Sequence, residues 1–153
     1  AWERAGYQIV GGPGNLGRGQ AQEVVAGQLP VATIDEVKNF DGVLIDTREA
    51  NRYAGRKERL DLKAGHIPGA VSVPTREILN PDNTFRPAEE IRATFEKVGV
   101  TDPNNVIVYS GSGVHSAQAI AAMHHAGLPG AALYLGGWSQ WCADRNNPVE
   151  RSD

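Results

Sequence analysis

A chain of 153 residues with 41% hydrophobic side chains is long enough to bury one ordinary core without help from metals or disulfides. A net charge of -3, with both signs mixed along the chain, excludes a basic face for nucleic acid and a polybasic membrane patch, which leaves small molecules or proteins as partners. No apolar run reaches the length of a membrane span, no charged start and apolar core mark a signal peptide, and the single cysteine, Cys142, excludes an internal disulfide framework, calls for no metal or other cofactor, and favours a reducing, cytoplasmic interior.

Residues 11–19 hold five glycines in nine positions, and the backbone entropy of glycine makes this a linker rather than an element. The expected division is therefore a remnant or linker of a preceding domain over 1–19, carrying Trp2 and Tyr7, and one domain over 20–153. Beyond the linker, short β-rich runs alternate with amphipathic helices, which predicts an α/β fold with a central parallel sheet covered by helices on both faces.

Thr33-Ile-Asp-Glu36 is a capping box opening a short helix that ends by Asp41-Gly42. Val43-Leu-Ile-Asp46 is a buried strand, followed by a helical turn from Glu49 and a long polar loop to Gly65. Val71-Ser-Val73 is a second strand stopped by Pro74. Pro87 stands where a first-turn proline is tolerated, and Ile91, Phe95 and Val98 recur at helical spacing until Gly99. Val106-Ile-Val-Tyr109 is the strongest strand signal; Ser110 to His115 is a glycine-rich turn, and Ser116 to Ala126 is a helix ended by Gly127. Ala132-Leu-Tyr-Leu135 is the last strand, and Gly136-Gly137 releases the chain into a helical turn from Trp138 to Cys142.

The turn Ser110-Gly-Ser-Gly-Val-His115 lies at the carboxyl end of a strand, where open parallel sheets bind ligands. Gly111 and Gly113 let backbone N–H groups converge, and the following helix adds the positive end of its dipole. Such a cup binds an anion: a phosphate, a carboxylate, or an anionic sulfur attached to the first loop residue.

Four phrases taken together, Val43-Leu-Ile-Asp-Thr-Arg48, Gly65-His-Ile-Pro-Gly-Ala70, Val106 to Val114 and Leu135-Gly-Gly-Trp138, resemble the rhodanese family, in particular the C-terminal catalytic half of two-domain thiosulfate and 3-mercaptopyruvate sulfurtransferases. The resemblance implies a small-molecule sulfur donor, a thiol or cyanide acceptor, and a preceding rhodanese-like domain. It also implies a cysteine at position 110 that takes a sulfane sulfur, becomes a persulfide and passes the sulfur on. Position 110 is instead serine, a weaker acid and a poor nucleophile toward sulfur, so the chain as written is expected to be inactive. Intact neighbouring motifs favour an inactivating Cys→Ser change over a natural, non-catalytic anion-binding or docking paralogue.

By the same resemblance, Gly111, Ser112, Gly113, Val114 and His115 form the anion-binding loop, and Arg52 binds the donor's carboxylate or sulfonate with its guanidinium fork. The neutral Gly111-Ser112 pair suits a monoanionic donor such as 3-mercaptopyruvate better than a dianion, and His115 departs from the Thr or Arg usual there. Asp46 and Arg48 support the site, either as a structural ion pair or in catalysis. His66 is expected to stabilise its turn, His124 and His125 to lie at the helix surface, Cys142 to pack as a small apolar residue, and Arg56, Lys57 and Arg59 to form a solvated cluster. Trp138 and Trp141 are expected at the domain edge or an interface. A serine hydrolase or phosphatase reading lacks a G-x-S-x-G elbow and a placed base.

Overall fold

The computed structural model describes residues 2–14, 19, 23, 25 and 27–152; the middle of the glycine linker and the boundary expected near residue 20 lie outside the described residues. Five parallel strands form one sheet in the order β1-β5-β4-β2-β3: β1 Val31–Ala32, β2 Val43–Asp46, β3 Val71–Ser72, β4 Val106–Tyr109 and β5 Ala132–Tyr134. The helices are α1 Ile34–Lys38, α2 Ala50–Tyr53, α3 Ala88–Lys97, α4 Val114–His125 and α5 Gly137–Ala143. Thr33 caps α1 with the expected capping box, its side chain accepting from Glu36 N–H while the Glu36 carboxylate accepts from the Thr33 backbone.

The central strands are apolar on both sides because each side is covered, and their side chains alternate between two cores. Ile45, Val106 and Val108 face a core that includes Ile91 and Phe95 of α3 and Ala119, Ile120 and Met123 of α4. Leu44, Ile107 and Tyr109 face the opposite core, with Val37 of α1 and Trp138, Trp141 and Cys142 of α5. After β3 the chain crosses back over β2 to place β4 on its other side. The direction of winding therefore reverses between β2 and β4, and the crevice at such a reversal is where open α/β sheets hold ligands. Asp46 and Tyr109 are Cα partners there, so the segments beginning at Thr47 and Ser110 emerge side by side.

Two elements differ from expectation. Val31 and Ala32 form an edge strand of two residues, too short to leave a period in the sequence, and pair with β5. Thr75–Ile78 winds into a 3-10 turn after Pro74 and buries Ile78 completely, an arrangement set by packing against α4 and α3 rather than by local pattern. In addition, α4 begins at Val114 rather than Ser116, because Gly113 already serves as its N-cap. Among the described residues no helix is long and apolar enough to cross a membrane.

Phe95 is fully buried in the larger core. Phe95→Ala is expected to lower unfolding stability by about 3–5 kcal/mol through lost burial plus a residual cavity, read from the denaturant midpoint.

Candidate active site

The loop after β4 is held from behind by α5. Trp138 N–H donates to the Ser110 carbonyl at 2.7 Å, and Ser139 N–H donates to the Gly111 carbonyl at 3.1 Å. So close an approach requires glycine at 137: its φ is +54°, and a Cβ there would collide with both carbonyls. In a planar trans peptide the C=O and the following N–H point in opposite directions. Fixing the carbonyls of Ser110 and Gly111 on α5 therefore turns the N–H groups of Gly111 and Ser112 away from it.

Gly113 closes the turn at φ +86° and lies against Leu135, which a side chain at 113 would strike. Its N–H donates to the Ser110 Oγ at 3.0 Å. The first turn of α4 has neither a side-chain cap nor an acidic residue, and the N–H groups of Val114, His115 and Ser116 have no acceptor among the described residues. Several amide donors and the positive end of a helix of 12 residues are thus gathered at one loop.

Ser110 lies at the floor of this loop, 1% exposed, whereas Ser112, Val114 and His115 are exposed. A residue passed over in the sequence completes the floor. Ser116, fully buried on the first turn of α4, donates to the Gly113 carbonyl at 3.0 Å and stands 3.1 Å from the Ser110 Oγ. A hydroxyl has one proton, and that of Ser116 is spent on Gly113, so Ser110 donates to Ser116. Beside the loop an open cleft of about 950 Å³ is lined by Glu49, Asn51, Thr75, Arg76, His115 and Gln118, among others. Ser110 does not line it.

Asp46 and Arg48 form a buried ion pair. The Arg48 Nε donates to both Asp46 oxygens at 3.0 Å, and Nη2 donates to Asp46 and to the Gly65 carbonyl at 2.6 Å each. The guanidinium also lies over the Trp138 ring, 4.7 Å from its centroid. Burial pushes the Arg48 pKa down, but the bond and charge of Asp46 outweigh it and hold the group above its ordinary value, so it stays charged. This pair faces the interior and reaches the loop through Trp138 on one side and through Glu58 and Arg52 on the other. Tyr109, whose hydroxyl accepts from Ile67 N–H, is held neutral by burial and by the neighbouring Asp46 charge, both of which raise its pKa well above 10.0.

Arg52 projects from α2 to the lip of the loop, with Nη1 3.7 Å from where a side chain on Gly111 would begin. Its other donors are occupied: Nη2 binds Asp61 at 2.6 Å and both Glu58 oxygens at 3.1 Å. The Glu58 carboxylate also accepts from the N–H groups of Arg59, Leu60 and Asp61 and approaches Arg48 Nη1 at 3.7 Å. Glu58 and Asp61 belong to the polar loop between α2 and Gly65, where nothing in the local pattern separates them from solvated acids.

The remaining candidates are placed away from the loop. His66 is buried, stacked on Tyr53 at 3.8 Å with Nδ1 2.8 Å from the Tyr53 carbonyl. Arg56, Lys57, Arg59, His124 and His125 are exposed, and Cys142 is buried. Trp138 and Trp141 do not form an edge: both are core residues, Trp138 wholly so, because α5 folds under the loop instead of along the rim. Among the described residues no cluster of His, Cys, Asp or Glu could hold a metal ion.

The model of the Rhodanese-like domain family matches residues 31–144. The chain is 35% identical over 155 residues to a protein named as a thiosulfate sulfurtransferase, SseB of Mycobacterium tuberculosis, covering 99% of this chain and 54% of that protein. It is 37% identical over 109 residues to the 3-mercaptopyruvate sulfurtransferase of Escherichia coli, covering 70% of this chain and 38% of the relative. The solved structure of the 3-mercaptopyruvate sulfurtransferase from Leishmania major superposes with a TM-score of 0.75 at 32% identity, over 90% of this chain and 40% of that one. The chain spans about half the length of these curated relatives, or less.

Gly137→Ala is expected to push the loop off α5, lowering the thermal midpoint and broadening the amide resonances of residues 110–113 in a nitrogen-proton correlation spectrum. Burial raises the Glu58 pKa, but backbone N–H groups and Arg52 outweigh it and hold the carboxyl below its ordinary 4.5. Its stabilising contribution is therefore present above that value and lost as pH falls through the depressed one. Glu58→Gln is expected to unfold at lower denaturant than the parent at pH 7, with the gap closing as the pH is taken well below 4.5, as followed by circular dichroism.

Proposed function

The chain belongs to the rhodanese-like domain family, and from that premise we propose that it is a sulfurtransferase domain built to move a sulfane sulfur from a small donor to a thiol or cyanide, with its nucleophile position occupied by Ser110. The observation that carries this reading is the Gly113 N–H donating to the side-chain oxygen at position 110, on a loop whose carbonyls are tied back to α5. The same donor suits a thiolate at 110, and the open N–H groups at the first turn of α4 suit the outer sulfur of a persulfide, where its charge lies. A thiolate there attacks the donor's transferable sulfur; an S–S bond forms, and the donor's bond to that sulfur breaks with its electron pair leaving on the donor remnant. The acceptor then removes the outer sulfur and returns the thiolate. Serine at 110 stops the cycle at its first step.

Arg52, with one corner of its fork toward Gly111, is the residue assigned to the donor's carboxylate or sulfonate. The neutral side of the loop at Gly111 and Ser112, and the two carboxylates already on Arg52, favour the monoanionic 3-mercaptopyruvate over thiosulfate. The reading also assigns a rhodanese-like domain before residue 20, and a cytoplasmic setting on the strength of one cysteine, Cys142.

A second reading, a non-catalytic anion-binding or docking module, is favoured by one observation. Serine at 110 completes a hydrogen-bonded circuit with Ser116 and Gly113 in which every hydroxyl is satisfied, so the floor accommodates serine without penalty.

Ser110→Cys is expected to convert cyanide to thiocyanate with 3-mercaptopyruvate or thiosulfate, while the serine chain gives no turnover. A full-length protein carrying the same substitution and still inert with both donors would sink the sulfurtransferase reading. Thiosulfate binding by the serine chain without turnover, measured by calorimetry, combined with that inert result, would move the assignment to the binding module.

A further inference from the structure

We propose that Ser116 is a positioning residue for the group at position 110, turning its O–H from the Gly113 carbonyl to the sulfur when a thiolate stands there. The inference rests on the sulfur-transfer reading of the loop and adds a residue to it.

The geometry around Ser116 leaves little choice of partner. It is fully buried, on the first turn of α4, and its hydroxyl reaches two groups, the Gly113 carbonyl at 3.0 Å and the Ser110 Oγ at 3.1 Å. With serine at 110, protons run in one direction: Gly113 N–H to Ser110, Ser110 O–H to Ser116, Ser116 O–H to the Gly113 carbonyl. A thiolate at 110 has no proton to give, and the middle bond of that circuit is lost. The Ser116 Oγ would then face the negative sulfur lone pair to lone pair unless its own proton swings over.

Rotation about one side-chain bond makes that exchange. The Gly113 carbonyl it leaves still accepts from Ala117 N–H at 3.0 Å, so no buried acceptor is stranded. The sulfur gains a second donor beside Gly113 N–H, in a floor closed to water, where a bond to a charged group is of the strong kind. Ser116 thus lowers the proton affinity of a sulfur at 110 without touching the donor, which separates it from Arg52 and from the exposed loop residues.

The test titrates the thiol, through the ultraviolet absorbance of its thiolate, in Ser110→Cys and in Ser110→Cys/Ser116→Ala. The unsubstituted chain, whose single thiol is the buried Cys142, is the blank. Removing the Ser116 hydroxyl is expected to raise the midpoint by about one pH unit, a tenfold change in the ionisation constant, while Ser116→Thr keeps it near the Ser110→Cys value. Circular dichroism establishes that each variant is folded, and Ser116→Gly replaces the alanine variant should that one unfold. An unchanged midpoint in a folded variant lacking the hydroxyl overturns the proposal. A raised midpoint beside a full-length Ser110→Cys protein that transfers no sulfur supports the role of Ser116 while removing the sulfurtransferase reading, so the two failures are distinct.

Discussion

Two backbone hydrogen bonds, from Trp138 and Ser139 to the carbonyls of Ser110 and Gly111, determine what the loop presents. A strand-to-helix turn rich in glycine has many conformations, and its amides converge only where its carbonyls are held elsewhere. Here α5 holds them, at a distance that only a glycine at 137 permits. The first turn of α4 then contributes its own open N–H groups without competition from an acidic cap. The site is therefore less a property of the segment 110–115 than of its contact with a helix more than twenty residues later.

That contact stands in turn on buried charge. Arg48 and Asp46 are both removed from water, a costly placement that their mutual charge and hydrogen bonds offset, with Arg48 Nη1 alone lacking a hydrogen-bond partner among the described residues. Asp46 accepts a forked bond and Gly65 another, and the guanidinium face lies on Trp138, the residue whose N–H holds Ser110. Glu58 joins this pair to Arg52 at the lip. With Asp61 included, three carboxylates surround two guanidinium groups, so an anion approaching the loop meets an arginine already partnered. On the proposed sulfurtransferase reading, affinity for the donor depends on what Arg52 gains at the loop beyond what it loses at Asp61.

The hydroxyl pair at the floor shows how little separates a binding loop from a catalytic one. Serine and cysteine occupy the position with similar shape but opposite proton bookkeeping: the serine gives a proton to Ser116, whereas a thiolate must take one. The same backbone serves either, since Gly113 N–H donates to whichever atom stands there. Gly113 N–H is indifferent to which side chain stands at this position, whereas the role of the Ser116 hydroxyl depends on it.

The alternation of short apolar runs with amphipathic helices, the capping box at Thr33, and the glycine turn after Val106–Tyr109 were legible in the sequence because each is a local pattern with a local physical cause. The α/β class, the parallel sheet and the position of the loop at a strand's carboxyl end followed from them. Folding decided what depends on contacts distant in the chain. The two-residue edge strand at Val31, the 3-10 turn that buries Ile78, the interior place of Trp138 and the carboxylates on Arg52 leave no periodic trace. Ser116 in the sequence marks only the opening of a helix, since nothing in the order of residues says that one helical turn brings its hydroxyl back over position 110. Periodicity reports which face of an element is buried, whereas which atoms meet across the fold is fixed by the crossing of β4 beside β2 and the return of α5 beneath the loop.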